Sequence, residues 1–110
     1  MARVLIAEPE PDLRRLAEQA LLELGHEPLA LDDIPPGRVD VLLCATSAHA
    51  LALAHALRRR QPELPIISLG TMAADLETRA LRPVTHLIKP YTLGELQRAL
   101  ARAETTGRRT

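Results

Sequence analysis

Lys89 is the residue whose type and position first suggest chemistry. It is the single lysine among 14 basic side chains, the others being arginine, and Pro90 follows it directly. An ammonium group on a flexible stem pairs with an anion in a way that a planar guanidinium does not reproduce. The proline can hold a cis bond and shape the turn. Residue type alone leaves two interpretations open, an anion partner for Lys89 or an ordinary surface lysine in a turn.

Two glutamates alternate with prolines from Glu8 to Pro11, after the first apolar segment. A cradle for nucleotide phosphates needs glycines at such a place, whereas prolines remove N–H donors and glutamates repel phosphate. A magnesium site needs several converging oxygen ligands, and the facing loop offers Ala45, which has none. We therefore predict solvated glutamates that stabilise the next helix through its dipole, and neither a metal nor another cofactor.

One cysteine and four histidines raise the question of a nucleophile. A working pair needs both groups within hydrogen-bond reach and an orienting partner. Cys44 ends an apolar segment, where a small buried hydrophobic residue is the ordinary role. His49 and His55 lie on one predicted helix but do not face each other. The sequence predicts a core cysteine, surface histidines and no enzymatic activity.

Short apolar segments alternate with amphipathic ones and must position these residues. Helical periodicity, a proline at a first helical position, glycine stops and serine or threonine caps mark the helices. The predicted strands are 3–7, 27–31, 39–44, 66–69 and 84–88, and the predicted helices are 11–24, 48–58, 73–81 and 93–104. Residues 32–37 are dense in turn formers and leave no room for a helix. Such alternation implies an α/β fold with a parallel sheet.

Functional residues of a parallel sheet gather at the carboxyl ends of its strands. The sequence therefore predicts which residues share that edge. They are Glu8, Pro9 and Glu10, Asp32 and Asp33, Cys44 to Ser47, Gly70 and Thr71, and Lys89 and Pro90.

Length and composition predict a single domain over residues 1–104 and a flexible tail over 105–110. Apolar residues make up 46% of the chain and the formal net charge is zero, so no broad attraction to nucleic acid or an anionic membrane is expected. A single aromatic residue excludes a base-stacking platform, and no apolar run reaches the ~18 residues of a membrane span. With one cysteine and no leader-like segment, we expect a cytoplasmic protein.

Several segments carry a resemblance to a known family. Pro11-Asp12-Leu13-Arg14 opens the first helix, Glu23 to Glu27 has the sequence ELGHE, and Leu87 to Leu96 has the sequence LIKPYTLGEL. With the segments VDVLL and ELPII, they make residues 3 to about 104 similar to a bacterial response-regulator receiver domain. The resemblance implies a flavodoxin-like three-layer sandwich with strand order 2-1-3-4-5, its second helix short or missing.

The resemblance also assigns a site, and this sequence departs from it. In the family, two acids after strand one and an aspartate after strand three hold magnesium, and that aspartate accepts a phosphoryl group. Glu8 matches the first acid, but Pro9 stands at the second and Ala45 at the acceptor. These replacements imply a degenerate receiver that cannot form the usual acyl phosphate.

The remaining site positions match in part. Gly70 stands where a threonine or serine contacts the phosphoryl oxygens, with Thr71 one step away. His86 occupies the position of the switch aromatic, and only Lys89 with Pro90 matches outright. Without a phosphoryl group, Lys89 is expected to pair with Glu8, an interaction worth ~1 kcal/mol or less if partly exposed.

Three functions follow as hypotheses. The first is a phosphorylation-independent interaction module that binds a signalling or transcription-machinery protein, or a second copy of itself, through the last two helices and the strand between them. Arginines there would make that face basic: Arg79, Arg82, Arg98 and Arg102. The second is a phosphorelay receiver phosphorylated at Glu8, Glu10, Asp32 or Asp33. The third is a small-molecule sensor whose vacated pocket holds another ligand.

Overall fold

Strands and helices alternate along the chain as the sequence predicts. The structure is a computed structural model that describes residues 2–29 and 37–107. Its strands are β1 (Arg3–Ala7), β2 (Glu27–Leu29), β3 (Val41–Ala45), β4 (Ile66–Gly70) and β5 (Thr85–Ile88). Its helices are α1 (Pro11–Glu23), α2 (Ala48–Arg60), α3 (Leu76–Ala80) and α4 (Leu93–Gly107).

The strands form one parallel sheet in the order β2-β1-β3-β4-β5, which confirms the predicted fold class. Both faces of the central strands are buried, as expected for the continuous apolar run of β3 and for β4, in which Ser68 is the one polar residue. One face packs on α1 and α4 through Leu21, Leu96 and Leu100, and the other packs on α2 through Leu51 and Leu57. The molecule is therefore a sandwich of helix, sheet and helix layers.

Local signals place the ends of α1. Pro11 stands in the first turn and the Glu10 side chain accepts a hydrogen bond from the Asp12 amide. Gly25 follows the helix with a φ of 84°. A positive φ suits glycine because it has no Cβ. The helix therefore begins at Pro11 as the sequence predicts and ends at Glu23, one residue before the predicted end.

Helix α3 is shorter than predicted, because it begins at Leu76 rather than Ala73. The Asp75 carboxylate accepts a hydrogen bond from the Thr78 amide at 2.8 Å and so caps the helix there. Helix α4 is longer than predicted and runs to Gly107. The domain boundary at residue 104 remains a prediction.

The connection between β2 and β3 lies partly outside the described residues. Ala30 and Leu31 of the predicted second strand fall there, as do the rim acids Asp32 and Asp33. Residues 37–40, which are described, form no helix before β3. Strand β3 begins at Val41 instead of Val39. The backbone of Val39 is hydrogen-bonded to the Gln61 side chain, since its amide donates to Gln61 Oε1 and its carbonyl accepts from Gln61 Nε2.

Candidate functional site

The carboxyl ends of four strands bring together Glu8, Ala45, Gly70 and Lys89, and we call this set the carboxyl edge. Ala7 pairs with Cys44, which brings Glu8 level with Ala45. Ala45 pairs with Leu69, and Gly70 pairs with Ile88. The Lys89 amide donates to the Gly70 carbonyl at 2.7 Å. Residues far apart in sequence thus meet at one place, as the fold prediction required.

Glu8 and Lys89 form an ion pair across this edge. Glu8 Oε1 accepts from Lys89 Nζ, and Glu8 Oε2 accepts from the Glu10 amide at 3.3 Å. The Glu8 side chain is 4% exposed and that of Lys89 is 17% exposed. The prediction of a solvated glutamate is therefore wrong for Glu8, because pairing with Lys89 lets its carboxylate be buried. The pair is also more deeply buried than the partly exposed pair that the sequence suggested, and ~1 kcal/mol underestimates the effect of breaking it.

Ala45 ends β3 beside this ion pair and is buried. Its side chain is a methyl group, which has no oxygen that could bind a cation or accept a phosphoryl group. The residue before it, Cys44, is fully buried, and its thiol donates to the carbonyls of Ala45 and Ala50. Burial, together with the charge of Glu8, raises the pKa of Cys44 from 9.0 to about 12. The thiol stays protonated at neutral pH and is a core group, as predicted.

His86 is held in place by two hydrogen bonds. Its Nδ1 lies 2.7 Å from Ser68 Oγ on the neighbouring strand β4, and its Nε2 lies 2.7 Å from the Met72 carbonyl oxygen. A carbonyl only accepts, so Nε2 carries the proton, and in the neutral ring Nδ1 accepts from the Ser68 hydroxyl. His86 therefore ties β5 to β4 and to the loop before α3.

Gly70 leaves the space that this ring uses. A Cβ added at Gly70 would lie 3.2 Å from His86 Cε1 and 3.3 Å from Thr46 Cγ2. A threonine or serine at this position would therefore press on the ring. The exposed side chain of Thr71 is the nearest hydroxyl in sequence, one residue further along the loop.

The other predicted site residues lie on the surface. Pro9 and Pro90 are exposed, and the Lys89–Pro90 peptide bond is cis. Glu10 is exposed and caps α1. Within residues 2–29 and 37–107, no group of three or more histidine, cysteine, aspartate or glutamate side chains is arranged to hold a metal ion.

Tyr91 borders a cavity of about 120 Å³ next to the ion pair. Leu13, Leu16 and Leu69 also line it, together with Glu8 and Lys89. Burial, with a smaller effect of the Glu8 charge, raises the pKa of Tyr91. The cavity is mainly apolar and lies between α1 and the loop before α4.

The four arginines predicted to form a basic face are all exposed. Arg82 and Arg102 line one open depression together with Val84. Arg82 has a φ of 51°, a conformation that is strained for a residue with a Cβ. Three large apolar side chains on the same elements are also exposed: Leu76, Ile88 and Leu93.

The histidines divide between surface and interior. His49 and His55 are exposed on α2, as predicted. His26 and His86 are partly buried and hydrogen-bonded, which differs from the predicted surface histidines. Sequence reasoning missed the link from His86 to Ser68. No sequence signal could have found it, because the register that makes the two residues direct partners across β4 and β5 is set by the tertiary structure.

No helix in the described part of the chain combines the length and apolar character needed to cross a membrane.

No protein-family model matches the chain, and no curated protein matches it. Several solved structures do match the chain. The chemotaxis protein CheY4 of Vibrio cholerae has a TM-score of 0.82 and 22% identity, with 94% of this chain and 98% of that chain covered. The receiver domain of a sensor histidine kinase from Pseudomonas aeruginosa, with a magnesium ion in its active-site cleft, has a TM-score of 0.81 and 22% identity over the same shares.

NtrX of Brucella abortus in complex with ADP has a TM-score of 0.81 and 24% identity over 96% of this chain. The match covers 26% of NtrX, so the chain spans about a quarter of that protein. Identities this low carry the fold and leave function to be argued from the site. Given these matches and the strand order β2-β1-β3-β4-β5, the chain has the fold of the receiver domains of response regulators.

Proposed function

We propose that this chain is a phosphorylation-independent protein-interaction module of bacterial signal transduction, acting in the cytoplasm. The observation that carries the proposal is the ion pair of Lys89 with Glu8 beside the methyl group of Ala45. In a phosphorylatable receiver, that lysine would meet a phosphoryl group on a carboxylate at the end of the third strand. Here its counter-charge is already supplied by the chain itself.

A receiver without an acceptor holds one state. A two-state switch needs a ligand that favours one state over the other, and a phosphoryl group cannot attach to alanine. The hydrogen bonds of His86 to Ser68 and to the Met72 carbonyl support the same view, because they tie the loop before α3 to the sheet. We infer a permanently presented binding surface.

We place the partner on the exposed residues of α3, β5, α4 and the loops that join them, which we call the interaction face. β5 is an edge strand, and Ile88 and Leu93 are large apolar residues left exposed on or beside it. Exposed apolar side chains rimmed by charge are typical of protein-binding surfaces. Arg82 and Arg102 meet at one depression of this face, which favours a partner with acidic groups.

Incubation with acetyl phosphate and magnesium, followed by intact-mass measurement, tests phosphorylation independence. We expect no mass gain, while a CheY-type receiver treated in parallel gains one phosphoryl group. A stoichiometric gain by this chain would instead support the second hypothesis, and peptide mapping would distinguish Glu8, Glu10, Asp32 and Asp33. The buried ion pair of Glu8 argues against phosphorylation of Glu8, and the capping role of Glu10 argues against phosphorylation of Glu10.

Charge reversal tests the interaction face. We expect the double variant Arg82→Glu, Arg102→Glu to lose partners that the unaltered chain captures from a bacterial lysate. The matched control is Arg15→Glu with Arg59→Glu, because both residues are exposed but lie on α1 and α2. Equal capture by both double variants would refute this placement, and sedimentation of the same variants tests whether the partner is a second copy.

A small-molecule sensor remains the alternative. The cavity beside Glu8 and Lys89 supports it, but about 120 Å³ is small for a ligand site, since such sites usually have ~300–1,000 Å³. A thermal-shift screen that gave reproducible stabilisation, lost on Leu16→Arg, would favour the sensor.

A further inference from the structure

A larger cavity lies at the opposite end of the sheet, near the amino ends of β3 and β4. It has a volume of about 410 Å³, in the range of small-molecule sites. The segment before β3 forms one side, and the end of α2 with the turn after it forms the other. None of the described residues that line it belongs to the carboxyl edge or to the interaction face.

The walls of this cavity are fixed by hydrogen bonds. Gln61 joins them, because its Oε1 accepts from the Val39 amide at 3.1 Å and its Nε2 donates to the Val39 carbonyl at 2.9 Å. The Leu64 amide donates to the Gln61 carbonyl, and Arg58 Nε donates to the Leu64 carbonyl at 2.9 Å. These polar groups are already satisfied, so the walls offer a preformed shape.

The floor of the cavity is apolar. Val39, Leu57 and Leu64 line it, and their exposed fractions are only 2%, 3% and 1%. Pro62 and Pro65 add two rings to the wall. A ligand that fills this floor must present an aliphatic or aromatic body, because apolar side chains form the floor.

The mouth of the cavity is basic. Arg38 and Arg60 line it and are exposed, and Glu63 is the one acid among the lining residues that the structure describes. Arg58 and Arg59 lie in the same helical turn as Arg60 but do not line the cavity. The end of α2 contributes a partial negative charge of about half a unit, which does not cancel these guanidinium groups.

We propose that this cavity binds a small amphiphilic carboxylate, with its apolar body on the floor and its carboxylate at Arg38 and Arg60. Guanidinium groups suit the carboxylate because their planar forks match its two oxygens. The proposal does not depend on the proposed function, since the cavity shares no residue with the surfaces argued above.

Titration of the chain with octanoate, followed through backbone amide resonances, tests the proposal. We expect saturable shifts at Val39, Gln61 and Leu64, and weaker binding of the neutral isostere 1-octanol. Arg60→Gln and Arg38→Gln should each weaken octanoate binding by about fivefold, as loss of one exposed charge pair predicts. Glu63→Gln should strengthen it.

Arg59→Gln is the matched control, because Arg59 is exposed on the same helical turn but does not line the cavity. Its octanoate affinity should stay close to that of the unaltered chain. The proposal is overturned by an absence of saturable shifts at these amides, by equal affinity for octanoate and 1-octanol, or by an Arg59→Gln effect as large as that of Arg60→Gln. An unchanged amide spectrum without ligand verifies that each variant is folded.

Discussion

At the scale of single residues, the surroundings of Glu8 decide how the carboxyl edge behaves. Its carboxylate is buried, pairs with Lys89 and accepts one backbone amide. Its charge also contributes to the raised pKa values of Cys44 and Tyr91, after the larger effect of burial. A buried carboxylate with a single cationic partner is sensitive to loss of that partner.

Lys89→Met is expected to lower the free energy of unfolding by about 3–5 kcal/mol, because Glu8 would keep a buried charge without a partner. Urea denaturation measures the change. The double variant Glu8→Leu, Lys89→Met should recover to within ~1 kcal/mol of the unaltered chain, since no unpaired charge remains.

The exposed ion pair between Arg3 and Glu27 supplies the control. Glu27→Gln should lower the free energy of unfolding by less than about 1 kcal/mol. If Lys89→Met proves no more destabilising than Glu27→Gln, the Glu8 carboxylate is not held as a buried charge.

The raised pKa of Cys44 predicts that the free energy of unfolding depends on pH. Its thiol has a pKa of about 12 when folded, against an ordinary 9.0 in the unfolded chain. The unfolded chain loses the proton first, so stability from the protonated thiol is complete below pH 9.0 and declines as the pH rises towards 12. We expect the free energy of unfolding of Cys44→Ala to fall less steeply in this window, by up to ~1.4 kcal/mol per pH unit.

Denaturation of both proteins in urea at a series of pH values measures the two slopes. Tyr91, whose pKa is also raised, keeps a residual slope in the variant. Parallel curves for the two proteins would contradict the assignment of this effect to Cys44.

At the scale of elements, β4 and β5 are joined by more than their ladder. Ser68 and His86 are register partners whose side chains hydrogen-bond, and His86 reaches on to the loop before α3. Gly70, two residues after Ser68, leaves the room for this ring. Gly70 and His86 therefore depend on each other, because the histidine ring lies where a side chain at position 70 would lie.

Gly70→Ser is expected to lower the free energy of unfolding by about 1–3 kcal/mol, because the new Cβ crowds a ring held by two hydrogen bonds. Gly94→Ala is the matched control: its nearest neighbour is the flexible end of Arg98 at 3.5 Å, and alanine in a helix should stabilise by ~0.5–1 kcal/mol. In a His86→Ala background the Gly70→Ser penalty should shrink. A penalty unchanged by removal of the ring would show that Thr46 or the backbone causes it.

At the scale of the whole molecule, the site is assembled from four strands and their loops. If the resemblance to receiver domains extends to their chemistry, phosphoryl transfer would need an acceptor on β3, two acids after β1 and a free lysine after β5. A single substitution supplies at most one of these parts, and the ion pair of Glu8 with Lys89 occupies two of the others.

Ala45→Asp alone is therefore expected to gain no phosphoryl group from acetyl phosphate and magnesium, as measured by intact mass. Pro9 still withholds the second carboxylate, and the new acid lies at a buried position beside Glu8. Magnesium-dependent phosphorylation of this single variant would contradict the prediction.

The strands, the parallel sheet and the meeting of Glu8 with Lys89 could all be predicted from sequence. Apolar runs, turn residues and helical caps are local signals, and the strand order came with the family resemblance. Two features could not be predicted. The depth of burial of Glu8 and the link from His86 to Ser68 depend on neighbours that are distant in the chain. The start of α3 was missed although its signal is local, because Asp75 accepts from the Thr78 amide three residues further on.

The sequence by itself determined which chemical groups the carboxyl edge lacks. The residues at positions 9, 45 and 70 are proline, alanine and glycine, which have neither a carboxylate nor a hydroxyl group. It also determined the alternation that builds a parallel sheet. Only the tertiary structure decided how the remaining groups are used, through the enclosure of Glu8, the ring of His86 over Gly70 and the basic-mouthed cavity beside Gln61. The reason is physical: burial and hydrogen-bond partners are properties of packed neighbours, and side chains far apart in sequence supply them.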